Sequence, residues 1–319
     1  MAFYSPDGAM AQRLSSLVQR LGGERGEALA NGLSITWLHY PASVVPPSAE
    51  GQAADDRRAV PGIGTASGAR GASWQGERLR DPGDLVQLPY LIASELWLQQ
   101  GLLEDEPELR RAQLAMIRRG SHDATSYVVD RLSGTTSGPA LAAHRHEAWL
   151  AQRQLVNAWL ASLDWPDLAG CRAVQKTWQD GPYGRERTGL GADFDTANRF
   201  SSDGLARLFE GVVAGSLISP PACQRMRGLL AVGPGSGGES VDAPAGLAPL
   251  LAPPGAGWRR FWGRGGRGPQ IHQLALYGER EDQGAALLVV LAEPELVEGL
   301  HGLVAAIAAD LLGADPFTG

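Results

Sequence analysis

Apolar positions recur along the chain with two periods, and the switches between them lay out its elements. Over 8–22, Met10, Leu14, Leu17, Val18 and Leu21 share one side of a helix that Gly22-Gly23 ends, with Arg13 and Gln19 opposite. Leu33-Ser-Ile-Thr-Trp-Leu-His-Tyr40 alternates β-branched and aromatic residues and predicts a strand. The most apolar stretch follows the Pro82-Gly83 turn and predicts a helix over 84–100. Leu85, Leu88, Leu91, Ile92 and Leu96 keep close to i, i+3, i+4, i+7 spacing, and Tyr90, Trp97 and Leu98 widen the stripe until most faces are buried. Pro89 predicts a kink in its early part.

Further helices are predicted at 107–119, 122–132, 140–163, 201–214 and 219–231. Glu106-Pro107-Glu108, Ser201-Ser-Asp-Gly and Ser219-Pro-Pro supply start signals. Three strands, Trp258–Arg264, Ile271–Tyr277 and Ala285–Leu291, precede a helix over 293–312 that carries Val297, Leu300, Val304, Ile307 and Leu311 on one face. Residues 41–83 and 232–257 are rich in Pro, Gly and Ala and read as loops. Disorder is expected from about 45 to 72, and a short strand near Ala72–Gln75. The stretch 164–200 is also loop-rich. The outline is an α+β fold. Residues 1–80 and 256–319 form an antiparallel sheet flanked by helices, with 41–80 loop-rich, and residues 81–255 form an all-α domain.

Composition narrows the class. The chain has 319 residues, 44% hydrophobic and 20% charged, which suits a globular protein with a substantial core. A net charge of −7 without a basic block argues against nucleic acid and anionic membranes as partners. Cys171 and Cys223 stand apart from any Cys/His cluster, so neither zinc nor another cofactor is expected, and two free buried thiols are the default over a disulfide. The N-terminus lacks a basic segment followed by an apolar one, and no run of about 18 apolar residues occurs, so the expected location is cytoplasmic.

Two segments carry a resemblance. Ser121-His-Asp-Ala-Thr-Ser-Tyr-Val-Val-Asp-Arg-Leu-Ser-Gly-Thr-Thr-Ser-Gly-Pro139 and Gln175-Lys-Thr-Trp-Gln-Asp-Gly-Pro-Tyr-Gly-Arg-Glu-Arg187 resemble a bacterial branch of the class A β-lactamase-like, penicillin-interacting serine hydrolases. The likeness covers about 10–312 and implies that family's β-lactamase/transpeptidase-like fold. The family's chemistry rests on S-x-x-K on the central helix, S-D-N in the helical domain and K-T-G on a strand.

Here those motifs are degenerate. Where the branch has Pro-Ala-Ser-Val-Val-Lys-Leu-Phe-Tyr-Leu, this chain has Pro82-Gly-Asp-Leu-Val-Gln-Leu-Pro-Tyr-Leu91. The resemblance therefore places Asp84 at the nucleophile position and Gln87 at the lysine position. Gln87 does not titrate and so is no base. Asp84 reads as a helix N-cap, or else as a carboxylate nucleophile. Ser43, in Tyr40-Pro-Ala-Ser-Val-Val45, repeats the motif's letters but is followed by Pro46 where the lysine belongs, and reads as a loop serine. Ser121-His122-Asp123 falls at the S-D-N position. Ser121 reads as an N-cap or retained proton relay, and Asp123 replaces the amide that would meet substrate. His122 is a helix-start histidine, with a catalytic base as its minor reading. Arg264-Gly265-Gly266 stands for K-T-G. Arg264 keeps the charge that would bind a substrate carboxylate but does not shuttle protons. Glu186 is the candidate for the family's water-activating glutamate, with an ion pair to neighbouring arginines as the alternative.

Nucleophile, base and relay are altered together, and such groups act as a unit. The expected function is a catalytically impaired β-lactamase-like protein that retains a cleft between its domains for a small-molecule ligand. One alternative is an active hydrolase of β-lactams, amides or esters with rearranged residues, using Ser121 or Ser43 with His122 or Glu186. The other is a structural or interaction protein whose partner, which the sequence does not name, is held by loops 41–80 or 232–257.

Overall fold

Alternate residues of the central strands enter two different cores. In Ala285–Ala292, Ala286, Leu288, Val290 and Ala292 join one apolar cluster, while Ala285, Leu287, Val289 and Leu291 join the other. A strand buried on both faces reads as an unbroken apolar run, which is why this segment looks so uniform in sequence. The computed structural model describes residues 3–23, 26–46, 68–178, 180–191, 196–233, 258–265, 273–280, 284–293 and 302–313.

The strands are β1 (Ser5–Pro6), β2 (Leu33–Tyr40), β3 (Arg70–Trp74), β4 (Ala231–Val232), β5 (Trp258–Gly265), β6 (Gln273–Arg280) and β7 (Ala285–Ala292). They form a seven-stranded sheet in the order β1-β3-β2-β7-β6-β5-β4. Its pairings are antiparallel except β1 with β3, so the sheet is mixed at that edge.

The helices are α1 (Gly8–Gly22), α2 (Gly26–Gly32), α3 (Gln87–Gln99), α4 (Pro107–Arg119), α5 (His122–Ser133), α6 (Ala143–Arg153), α7 (Leu155–Ser162), α8 (Gly184–Gly189), α9 (Ser202–Val213), α10 (Pro220–Leu230) and α11 (Leu303–Gly313). On one face of the sheet, Met10, Leu14, Leu17 and Val18 of α1 and Leu303, Val304, Ile307 and Leu311 of α11 cover Ile35, Trp37 and Leu288. On the other face lies the larger core, centred on α3 and joined by α4, α5, α7, α9 and α10. Among the described residues no helix is long and apolar enough to cross a membrane. Both cysteines are free and buried.

Several elements differ from expectation, among them the short helix α8 inside the loop-rich stretch 164–200 and the two-residue strands β1 and β4. The helix expected over 84–100 starts as a 3₁₀ turn, Gly83–Val86, and becomes α-helical at Gln87. Pro89 then lies in the first α-helical turn, where a missing N–H leaves no bond unmade, and no kink is needed. The helix expected over 140–163 is two, divided at Gln154 beside the buried Arg153. Helix α2, in a Gly-containing segment, was not anticipated. Of the loops expected at 41–83 and 232–257, residues 47–67 and 234–257 lie outside the described residues, as do the first part of the 293–312 helix and Gly266.

Candidate functional site

The 3₁₀ turn lifts Asp84 out of a capping position. Neither that turn nor α3 has a side-chain cap, and Gly83 N–H is taken by Asp81 Oδ1 at 2.9 Å. The N-cap reading of Asp84 is therefore corrected: its carboxylate faces β5. Arg264, 5% exposed near the end of β5, donates from Nη2 to Asp84 Oδ2 at 3.1 Å. The same guanidinium donates twice to Gln87 Oε1, from Nε at 3.0 Å and Nη2 at 2.7 Å, and from Nη1 to the Gly265 carbonyl at 2.5 Å. Two glycines admit this packing. Gly83 (φ +48°) lies so close to the Gln273 side chain that a Cβ would overlap it. Gly120, the left-handed C-cap of α4 (φ +61°), would place a Cβ 3.0 Å from Arg264 Nη2 and 3.4 Å from Asp84 Oδ2.

Gln87 is fully buried and continues the network. Its nitrogen donates to Thr125 Oγ1 at 3.1 Å, and Thr125 donates to the Ser121 carbonyl at 2.8 Å. Ser121 Oγ caps α5, accepting the Ala124 N–H at 3.1 Å, in line with its capping reading. His122 Nε2 lies 3.7 Å from Asp84 Oδ1, on the outer side of the carboxylate. Asp123 is exposed on the next residue of the helix. Asp84, Gln87, Arg264 and the Ser121–His122 corner, spread over 180 positions, thus meet in one place. Thr125 and Gly120 belong there too and were missed. The signals were present: Thr125 is one turn beyond Ser121, and Gly120 follows Arg118-Arg119 as a C-cap glycine should.

Chemically the arrangement is closed upon itself. The negative charge of Asp84 is met by a buried arginine, and Gln87 bridges arginine and threonine without a titrating atom. No serine, threonine or cysteine hydroxyl or thiol occupies the first turn.

Glu186 lies in a different cluster. It is 1% exposed on α8 and accepts from Arg153 Nη2 at 2.5 Å and Ser137 Oγ at 2.8 Å through the same oxygen, with Lys176 Nζ at 3.9 Å. Lys176 also reaches Asp130 at 2.9 Å and Ser137 Oγ at 2.7 Å. This fits the ion-pair alternative for Glu186. The arginine concerned is Arg153 rather than the flanking Arg185 or Arg187. Ser43 is remote from both clusters: its hydroxyl donates to Glu279 and accepts the Val45 N–H, beside a cavity of about 510 Å³. A second cavity of about 600 Å³ is lined by Tyr4, Ser73, Asp167 and Asp203. Among the described residues no group of three or more His, Cys, Asp or Glu side chains is disposed to hold a metal.

No family model matches the sequence, and no curated protein matches it. Solved structures do match the fold across nearly its whole length. A β-lactamase from Burkholderia vietnamiensis superposes with a TM-score of 0.56 at 9% identity, covering 96% of this chain and 97% of that one. A β-lactamase from Sphaerobacter thermophilus gives 0.55 at 14% identity, covering 94% and 97%. The protein PBP-A gives 0.51 at 13% identity, covering 96% and 98%. The chain therefore has the fold shared by class A β-lactamases and PBP-A, as the resemblance implied. At such identities the likeness defines the architecture and leaves the chemistry to the residues in place.

Proposed function

We propose that this is a β-lactamase-like protein whose ancestral acyl-transfer site is silent and survives as a binding surface for a small molecule. The observation that carries the reading is the Asp84–Arg264 ion pair, with Gln87 bonded to the same guanidinium. Acyl transfer in this fold requires a nucleophile and a base on the first turns of the central helix. Here those positions hold a neutralised carboxylate and an amide. A carboxylate tied to arginine is a poor nucleophile, and an amide takes no proton. Because such groups act as a unit, replacing both removes most of the rate rather than a fraction of it.

The test is direct. The full-length protein at high concentration should give no nitrocefin hydrolysis above a no-enzyme control. Intact-mass spectrometry after incubation with labelled penicillin should show no adduct on 82–91. A stoichiometric penicillin adduct there, or turnover lost on Asp84→Asn, overturns the proposal.

A further inference from the structure

The second cluster contains a hydroxyl held as a nucleophile is held. Ser137 belongs to an exposed loop position, while the groups behind it are buried: Lys176 is 5% exposed and Glu186 1%. The serine's single hydrogen is directed at a carboxylate, because Ser137 Oγ donates to Glu186 Oε1 at 2.8 Å. Its lone pair is met by a cation, because Lys176 Nζ donates to Oγ at 2.7 Å. One partner is placed to receive the proton and the other to stabilise the oxygen left behind.

The next layer fixes both partners. Asp130 holds Lys176 at 2.9 Å, and Arg153 Nη2 orients Glu186 at 2.5 Å with its guanidinium 4.8 Å over the Trp149 ring. Within this buried group, Glu186 Oε2 and the Nε and Nη1 atoms of Arg153 have no hydrogen-bond partner. Among protein donors, then, only Oε1 of this carboxylate is engaged. The segments meet tightly: Arg185 N–H donates to the Gly138 carbonyl at 3.0 Å. Gly184 (φ +55°) lies where a Cβ would overlap that same oxygen. Tyr183, the preceding residue, is 70% exposed and offers an aromatic surface beside the loop.

We propose that Ser137 is a reactive nucleophile with Glu186 as its general base and Lys176 as its electrostatic support, acting on small activated esters. The Oγ–acyl bond forms as the ester C–O bond breaks. The proton passes from Oγ to Glu186 and then to the departing alkoxide. Water next attacks the acyl-serine, giving its proton to Glu186, which returns it to Oγ as the acid leaves. This site is separate from Asp84, so a penicillin adduct on 82–91 would overturn the earlier reading and leave this one standing.

The experiment uses an alkyl fluorophosphonate on the full-length protein, followed by peptide mapping. Attack of Oγ on phosphorus expels fluoride and passes the proton to Glu186, leaving a stable phosphonyl-serine. One adduct on Ser137 is expected, together with slow hydrolysis of p-nitrophenyl acetate. Ser137→Ala should abolish both, and Ser162→Ala, on an exposed face of α7, should change neither. Glu186→Gln, checked for folding by near-ultraviolet circular dichroism, should slow labelling by about 100-fold or more. Should that variant not fold, the Ser137→Ala comparison alone decides. No adduct, an adduct on another residue, or unchanged labelling of Ser137→Ala refutes the proposal.

Discussion

Arg264 Nη2 and Asp84 Oδ2 stand 3.1 Å apart across 180 positions of sequence, one group 5% exposed on a strand and the other on a 3₁₀ turn. The pair joins the sheet to the start of the central helix, and His122 approaches the carboxylate from the other side at 3.7 Å. Removing the carboxylate leaves a buried guanidinium with only neutral acceptors among the partners described above. Asp84→Ala is expected to lower stability by about 2–3 kcal/mol, and Asp84→Asn by about 1 kcal/mol, since the amide still accepts a hydrogen bond. Urea denaturation followed by fluorescence measures both. Equal losses would show that the charge is immaterial.

Asp203 predicts a pH dependence. Burial pushes its carboxyl from 3.8 up to about 6, Asp167 and Glu77 add to the rise, and hydrogen bonds from Thr36 and Ser73 oppose it. The folded protein thus holds this proton more firmly than the unfolded chain does. The stabilisation is complete below about pH 4 and is lost as pH rises through about 6. A shift of this size corresponds to roughly 2–3 kcal/mol. Asp203→Asn should flatten that part of the stability curve and raise stability at pH 7.5 relative to the unmodified protein. A curve for the variant parallel to the original between pH 4 and 7 would refute the assignment.

The Arg153–Glu186 pair should show strong coupling. Glu186→Gln leaves Arg153 facing an amide with Asp130, at 3.2 Å, as its remaining carboxylate, and is expected to cost about 2–3 kcal/mol, less than orphaning a buried charge outright. Arg153→Met with Glu186→Gln should recover part of that loss. A double-mutant cycle measured by chemical denaturation gives the coupling, and additive losses would argue against a direct interaction.

Glycine requirements are local and separable. Gly83→Ala combines a φ of +48° with overlap on the Gln273 side chain, and a loss of about 2 kcal/mol or more is expected. Gly8→Ala lies in the first turn of α1 with open space around the added methyl, so a gain of about 0.5 kcal/mol is expected. Melting temperatures that move together would contradict the distinction.

Much of the architecture was written in local patterns. The β-branched and aromatic run of Leu33–Tyr40 follows from strand propensity, and the helical stripes of 8–22 and 107–119 and the buried helix after Gly83 follow from which positions avoid water, properties each segment carries by itself. The altered first turn was legible for the same reason, since Asp84 and Gln87 are simply the residues present. Partnership was not legible. Whether Asp84 caps a helix or meets Arg264 depends on the register of β5 against β6 and on where the α4–α5 corner falls. Whether Glu186 meets the first turn or Ser137 depends on the path of 164–200 over the helices. These contacts join segments far apart in sequence, and no local periodicity encodes them. Sequence determined which groups the chain has and which faces it buries; only the tertiary packing decided that Asp84 would be neutralised by an arginine from the sheet and that Ser137 would lie between a lysine and a glutamate.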